Sequence, residues 1–301
     1  MNINIIGRKK IFLTIALILV LLSAGSVAFF RFRLGVDFAG GTVWDVKIPN
    51  ATPSQIKTVL EQAGAVSPIV AYDSVTKNYS ITLPEITEDQ RNAYLSAMQT
   101  KFGAGVESQD FWSLSPSVSA SLARRAILAI IFVLAGISLF VAYAFRRVSR
   151  PVSSWKYGFI TLLTLLHDVI IPAGAYAAIG YFFGLTIDTN FIIALLVIMG
   201  FSVHDTIVVF DRTRENLSRE KGKIDLPDVV NRSVNETMHR SINTSFSLAL
   251  VLLALYFLGP GNLKFFALTL LIGIIAGTYS SIFVASPLLV MSNREGEKDR
   301  K

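Results

Sequence analysis

Six long apolar stretches constrain this chain more than any other feature: Ile11–Phe30, Ala126–Phe145, Tyr157–Phe183, Asn190–Phe210, Ile242–Leu258 and Phe265–Met291. Each is close to or above the roughly 20 residues needed to cross a bilayer as a helix. Inside a bilayer every backbone N–H and C=O must find a partner within the protein, so stretches of this kind specify a helical bundle. Composition agrees: 52% of residues are hydrophobic and only 16% charged, with a mean hydropathy of +0.54. The absence of cysteine excludes disulfides, thiolate metal sites and cysteine nucleophiles. A net charge of +7 would suit nucleic acid, but the basic residues flank the apolar stretches, which membrane topology explains better. No nucleic-acid partner is expected.

The first stretch follows Arg8-Lys9-Lys10 and has no small-x-small cleavage site before Arg31 and Arg33, so it reads as a retained anchor. With a cytoplasmic N-terminus, residues 1–10, 146–156, 211–241 and 292–301 face inside and carry 18 of the 28 basic residues. The short outside loops 184–189 and 259–264 carry only Lys264 between them. This is the positive-inside pattern, with both termini cytoplasmic. The expected division is therefore a tail and first span over 1–30, an extracytoplasmic domain over 31–125, and a five-span region over 126–301. The last region includes a cytoplasmic loop, 211–241, whose residues Asp228–Arg240 read as a helix near the membrane surface.

Residues 31–125 carry the signals of a folded domain. Thr42–Ile48 reads as a strand, and Thr52-Pro53-Ser54-Gln55 combines an N-cap, a proline at the first helical position and a capping-box glutamine. Two β-rich runs follow, Ile69–Tyr72 and Tyr79–Leu83, separated by Asp73–Asn78. A second capping box, Thr87-Glu88-Asp89-Gln90, opens a helix to about Phe102, and a last strand runs from about Gly105 to Phe111. The order βαββαβ is that of the ferredoxin-like fold. The fold class expected is thus a polytopic α-helical membrane protein of six spans with one α+β extracytoplasmic domain. Here "ferredoxin-like" concerns shape alone, since an iron–sulfur cluster needs cysteines.

Within the apolar stretches the ionisable residues stand out. Asp205 lies inside the fourth stretch, where a charge costs on the order of 2.5–3.5 kcal/mol on insertion scales. Such an acid faces protein or water and is a functional-site candidate by default; the competing reading is a carboxylate held ionised by a partner base. Ser202 lies one helical turn before it and Thr206 beside it, which makes hydroxyl relays conceivable. His204 adjoins it and sets an imidazole beside the acid, with a tuning or packing role as the plainer reading. His167 and Asp168 repeat the anomaly in the third stretch, suited equally to proton transfer and to a helix-orienting hydrogen-bond network. Arg240, taken alone, is an ordinary inside arginine. Gly273 and Gly277 form a GxxxG face for close packing with another helix. Gly40-Gly41 fit a tight turn and not a phosphate loop, because no helix follows them directly. Walker A, HExxH and GxSxG motifs are missing, and the three histidines fall in three segments at different depths, so neither an enzyme nor a metal or other cofactor is expected.

Gly35-Val36-Asp37-Phe38-Ala39-Gly40-Gly41-Thr42 resembles the signature of the SecD/SecF family of the RND superfamily, with Asp37, Gly40 and Gly41 at its turn. The block from Gly200 to Asn216 is similar to the fourth-span signature on the SecF side of that family, and His167-Asp168-Val169 and His239–Ser245 match further blocks. The resemblance implies an RND half-transporter that works with a separate SecD and the SecYEG translocon, with YajC and YidC as associates. It implies use of the proton-motive force to move unfolded exported polypeptide, and carries over Asp205 as proton carrier with Arg240 as its counterpart. A small polar residue such as asparagine is commoner at the position of His204, so no essential role transfers to it. Two other readings are an assembly scaffold for SecD without proton transport, and a small-molecule RND exporter. The exporter would carry two large extracytoplasmic domains per half, whereas one of about 90 residues is expected here.

Overall fold

A computed structural model of the protein describes residues 3–72, 76–146, 152–220 and 225–298. Parts of the expected turn 73–78, of the inside segment 146–156, of the loop 211–241 and of the tail (73–75, 147–151, 221–224 and 299–301) lie outside the described residues. A first helix, α1 (Lys9–Phe30), ends at Arg31, whose φ of 56° turns the chain away. A single short helical turn, α2 (Val36–Ala39), leads into β1 (Gly41–Lys47). The order continues α3 (Pro53–Gln62), β2 (Ile69–Tyr72), β3 (Tyr79–Leu83), α4 (Glu88–Phe102) and β4 (Glu107–Leu114).

Both capping boxes form: the Thr52 and Thr87 hydroxyls accept from the backbone of Gln55 and Gln90, whose side chains accept from the threonine amides in return. The four strands pair antiparallel in the order β2-β3-β1-β4, as the ferredoxin-like fold requires. Alternation puts Trp44 and Val46 of β1 and Tyr79, Ile81 and Leu83 of β3 on one face. There they close a core with Ile56, Leu60 and Met98 from the helices. Gly41 holds φ 130°, and a Cβ there would lie 2.4 Å from the Leu83 carbonyl oxygen, so the glycine pair is a turn as the sequence suggests.

The remaining elements are helical: α5 (Pro116–Ala144), α6 (Ser154–Phe183), α7 (Thr189–Glu220), α8 (Leu226–Leu258) and α9 (Gly261–Ser280). A single π-helical turn at Ser281–Ala285 joins α9 to α10 (Ser286–Lys298). With α1, these give six helical spans among the described residues that are long and apolar enough to cross a membrane. Three differ from the sequence reading. Helix α5 begins at Pro116, ten residues before its apolar stretch and inside the segment 31–125. Helix α7 runs beyond its apolar stretch to Glu220. The helix expected near the membrane surface is the first part of α8, continuous with the fifth span. The polar extensions carry ion pairs, Arg212 with Glu215 and Glu236 among them, so helix persists after the apolar signal has ended. α6, α7 and the last span form the centre of the bundle, while α1, α5 and α8 keep most of their surface outward.

Two attachments fix the bundle ends. At one end, residues 3–6 are strapped to α8. Asn231 accepts from the amides of Ile5 and Ile6 at 2.8 and 3.2 Å, and Asn235 accepts from that of Ile3 at 2.9 Å. Both asparagines donate back to the Ile3 carbonyl, and Ile5 and Ile6 are buried in an apolar cluster with Phe210, Val230 and Leu289. At the other end, Leu34 and Ile187 form a parallel bridge. The Gly35 amide donates to Ile187 O and the Ile187 amide to Arg33 O, both at 2.8 Å. Asp188 caps α7 by accepting from the Phe191 amide at 2.9 Å, and Asp37 accepts from the Thr189 amide at 2.7 Å.

These features make two predictions. Ala at Gly64, where φ is 94° and the space is open, suffers backbone strain alone, whereas Ala at Gly41 also meets the Leu83 carbonyl. Gly41→Ala is therefore expected to destabilise the sheet domain by roughly 1–3 kcal/mol more than Gly64→Ala, read by protease resistance on heating. Burial holds the Asp188 carboxyl above its ordinary value; the Phe191 amide opposes this and the nearby Asp37 charge adds to it. The folded state thus binds this proton more tightly than the unfolded chain. Stability then falls as pH rises from about 4 through the raised native value. Asp188→Asn, which keeps an acceptor for Phe191, should gain in thermal midpoint relative to wild type across that window, at a fixed scan rate.

Candidate functional site

Most of the polar residues singled out in the spans meet where α6, α7 and α9 pack. Asp168 on α6 is fully buried and accepts three hydrogen bonds: from His167 Nδ1 at 2.8 Å, from Ser280 Oγ on α9 at 2.7 Å, and from Ser202 Oγ on α7. The other ring nitrogen of His167, Nε2, is hydrogen-bonded to the Tyr279 hydroxyl. One carboxylate thus ties three helices together, and a histidine beside it extends the network to a tyrosine on α9.

Close packing makes the reach possible. A Cβ at Gly273 would lie 2.2 Å from Ile198 Cδ1, and one at Gly277 2.9 Å from Ser202 Cβ. The GxxxG face therefore packs against α7 inside the bundle and brings the α9 backbone up to the helix that carries Ser202. Directly after Ser280 the last span takes its π-helical turn, a departure that recurs at functional sites.

Asp205 sits one turn beyond Ser202 on α7, only 2% exposed, and faces α8. Its Oδ2 is buried with no hydrogen-bond partner, and so is the hydroxyl of Ser241 on α8. The two stand beside one another, close enough to interact but outside hydrogen-bonding geometry. An unsatisfied buried polar atom costs about 1–3 kcal/mol, and two side by side in one contact call for an explanation. A proton supplies one: a neutral carboxylic acid carries an O–H that Ser241 can accept, and a carboxylate can instead accept from Ser241.

The remaining candidates fall into two groups. Arg240 on α8 and His204 on α7 are exposed, near enough to Asp205 to act on it electrostatically, and among the described residues no ion pair joins either to it. They lie on an outward surface with Asn243, Thr244 and Ser247, also exposed, in the polar first half of the fifth span. Thr206 donates to the Ser202 carbonyl of its own helix at 3.1 Å, so its hydroxyl proton is already engaged. Asp37, Gly40 and Gly41 are far along the chain at the other end of α7.

Three residues of the site escaped sequence reasoning. Tyr279 carries no signal of its own. Ser280 lies one residue beyond Tyr279 on α9 and carries no signal apart from its small side chain. Ser241 could have been found from its spacing with Ser245: the two lie four residues apart on the buried face of α8, and Ser245 meets Thr278 of α9 at 2.5 Å.

Comparison with known proteins gives this geometry a context. The family described as "Protein export membrane protein SecD/SecF, C-terminal" matches residues 94–295. A protein translocase subunit SecF from Thermobaculum terrenum is 40% identical over 300 residues, covering 96% of this chain and 93% of that protein. One from Anaerolinea thermophila is 33% identical over 294 residues, with the same coverage. A protein translocase subunit SecDF from Thermus thermophilus is 34% identical over 296 residues, 95% of this chain but 38% of that longer one. The crystal structure of SecDF from that organism, a translocon-associated membrane protein, superposes with a TM-score of 0.84 at 32% identity, covering 98% of this chain and 39% of the other. SecDF in its Super-membrane-facing form gives 0.71 at 31% identity, covering 100% of this chain and 40% of the other. Alignment over nearly the whole length, in sequence and in structure, makes the chain a member of the SecD/SecF family of protein-export membrane proteins.

Proposed function

We propose that the chain is the SecF-side half of a SecD–SecF assembly that uses the proton-motive force to promote protein translocation across the cytoplasmic membrane, with Asp205 as the group that takes up and releases the proton. The observation that carries this reading is the contact between α7 and α8, where Asp205 Oδ2 and the Ser241 hydroxyl are buried near one another without a hydrogen bond of good geometry. Proton uptake and loss change which of the two donates, and thereby how the helices meet. Each charge crossing the membrane gains about 2.3 kcal/mol per 100 mV, so a few protons suffice to reset a helix contact worth a few kcal/mol.

The other residues take supporting roles. Asp168, with three donors on it, holds α6, α7 and α9 in register and so positions Asp205; His167 and Tyr279 brace it. Arg240 is the counter-charge that approaches or leaves Asp205 as the bundle changes shape. His204, on the outward surface, tunes the local field without carrying the proton.

A second protein fits the uncovered face. Arg240, Asn243, Thr244, Ser247 and His204 are exposed where hydrocarbon would otherwise meet them, at a cost that a partner's polar surface removes. SecD is that partner, in keeping with the SecDF chains in which a sequence like this one fills under half the length. Residues 31–125 would lie outside the cytoplasmic membrane and both termini inside it. The domain would handle emerging unfolded polypeptide from the SecYEG translocon, with YajC and YidC as neighbours. The assembly-scaffold reading draws on the same face, and the two readings part at Asp205.

Asp205→Asn keeps the volume but cannot exchange a proton. It is expected to abolish proton-motive-force stimulation of translocation while SecD still co-purifies at the wild-type level; unchanged stimulation and proton conductance would remove Asp205 from the path. Ser241→Ala, which leaves only the acid in the contact, should shift the pH at which proton conductance is half-maximal. Asp168→Ala strips hydrogen bonds to a buried carboxylate. It should lower bundle stability by about 2 kcal/mol, read as a drop in thermal midpoint in detergent, whereas Asp168→Asn keeps part of that stability.

A further inference from the structure

The signature segment after α1 does more than turn the chain. Within residues 33–41 it bonds to three separate elements. Its backbone pairs with Ile187 through Arg33 and Gly35, so closely that a Cβ on Gly35 would lie 2.8 Å from the Ile187 carbonyl oxygen and 3.1 Å from Thr186 Oγ1. The Val36 carbonyl accepts from the fully buried Ser119 hydroxyl of α5 at 2.9 Å, and a Cβ on Gly40 would lie 3.0 Å from Pro116 Cα. Gly41 then begins β1, which lies between β3 and β4, so the segment is the root of the sheet domain.

The contact with α7 is the unusual one. A helix start needs acceptors for its first amides, and a side chain at the position just before the helix normally supplies them. Asp188 does so for Phe191. The first amide of the helix, on Thr189, is taken instead by Asp37, 152 positions earlier in the chain. Burial pushes the Asp188 carboxyl up, and the Asp37 charge adds to this, which places two acids together at one helix end. From Thr189 the helix is unbroken to Glu220, and Asp205 lies on it about 24 Å from the joint at 1.5 Å per residue.

We propose that Asp37 is a positioning residue that couples the sheet domain to α7, so that a shift of α7 driven at Asp205 is delivered to the root of the domain and the two move as one. The inference rests on the reading of Asp205 as the proton-bearing residue. It assigns the joint formed by 33–37 and 186–189 to transmission, and it requires the joint to stay closed while the bundle changes shape.

The test uses inverted membrane vesicles holding the full chain with SecD and the translocon, with preprotein translocation and proton conductance measured side by side. Asp37→Ala is expected to reduce the proton-motive-force stimulation at least five-fold while proton conductance stays within two-fold of wild type and SecD remains bound. Asp37→Asn, whose side-chain carbonyl can still accept from the Thr189 amide, is expected to restore most of the stimulation. Since the chain has no cysteine, Leu34→Cys/Ile187→Cys gives a single engineered disulfide across the bridge, and oxidising it should leave stimulation intact. Wild-type stimulation in Asp37→Ala, loss of SecD from that variant, or abolition of stimulation by the oxidised pair would each overturn the proposal. Asp205→Asn in the same vesicles separates the two readings. No effect there sinks the proton role and with it the driver of the coupling, whereas a lost effect of Asp37→Ala beside an effective Asp205→Asn sinks the coupling alone.

Discussion

A charged or polar group inside a membrane bundle persists only where the protein itself supplies its partners, and Asp168 is where that requirement is met most fully. Its carboxylate collects donors from two neighbouring helices and from the adjacent histidine. The glycines of α9 allow this by letting two backbones approach, and the approach brings Ser202 and Ser280 onto the same oxygen. Once α7 is held in that register, the residue one turn along, Asp205, has no choice but to face α8. The satisfied acid and the unsatisfied one are thus two ends of one arrangement. The first is built to stay, and the second is left with an oxygen lacking a hydrogen bond toward a helix that the bundle covers only in part.

Much of the fold is legible in the sequence because local signals and the global architecture agree. Both capping boxes, the strands Ile69–Tyr72 and Tyr79–Leu83 and the helix ending at Phe102 lie where side-chain chemistry places them. The six apolar stretches mark the spans. Boundaries fail where the signal changes character and the helix does not. Helices α7 and α8 run on past their apolar parts because ion pairs such as Arg232 with Glu236 replace burial as the support of the helix. The last strand runs to Leu114, beyond Phe111, because its register is set by pairing with β1 and not by its own composition.

The candidate site is legible in part, for the same reason. Acids in apolar runs announce themselves, so Asp205 and Asp168 could be named from position alone, and the family resemblance added Arg240. What those acids touch is a property of helix packing. Ser241, Tyr279 and Ser280 are ordinary span residues until the crossing of α6, α7, α8 and α9 brings them together. Asp37 shows the reverse case. The sequence marks it as part of a turn, and the turn is real, but its side chain serves a helix whose first residue lies 152 positions away.

The strap at the N-terminus carries a consequence in time. Ile3 and Ile5 are held by Asn235 and Asn231, partners 232 and 226 residues further along the chain. At 5–20 residues per second, ribosomes need about 10–50 s to make that stretch. For that interval the amides of Ile3, Ile5 and Ile6 lack the asparagine acceptors of α8 that hold them in the finished fold. Residues 3–6 therefore cannot take their final position before α8 has been made, and their docking follows the fifth span in time.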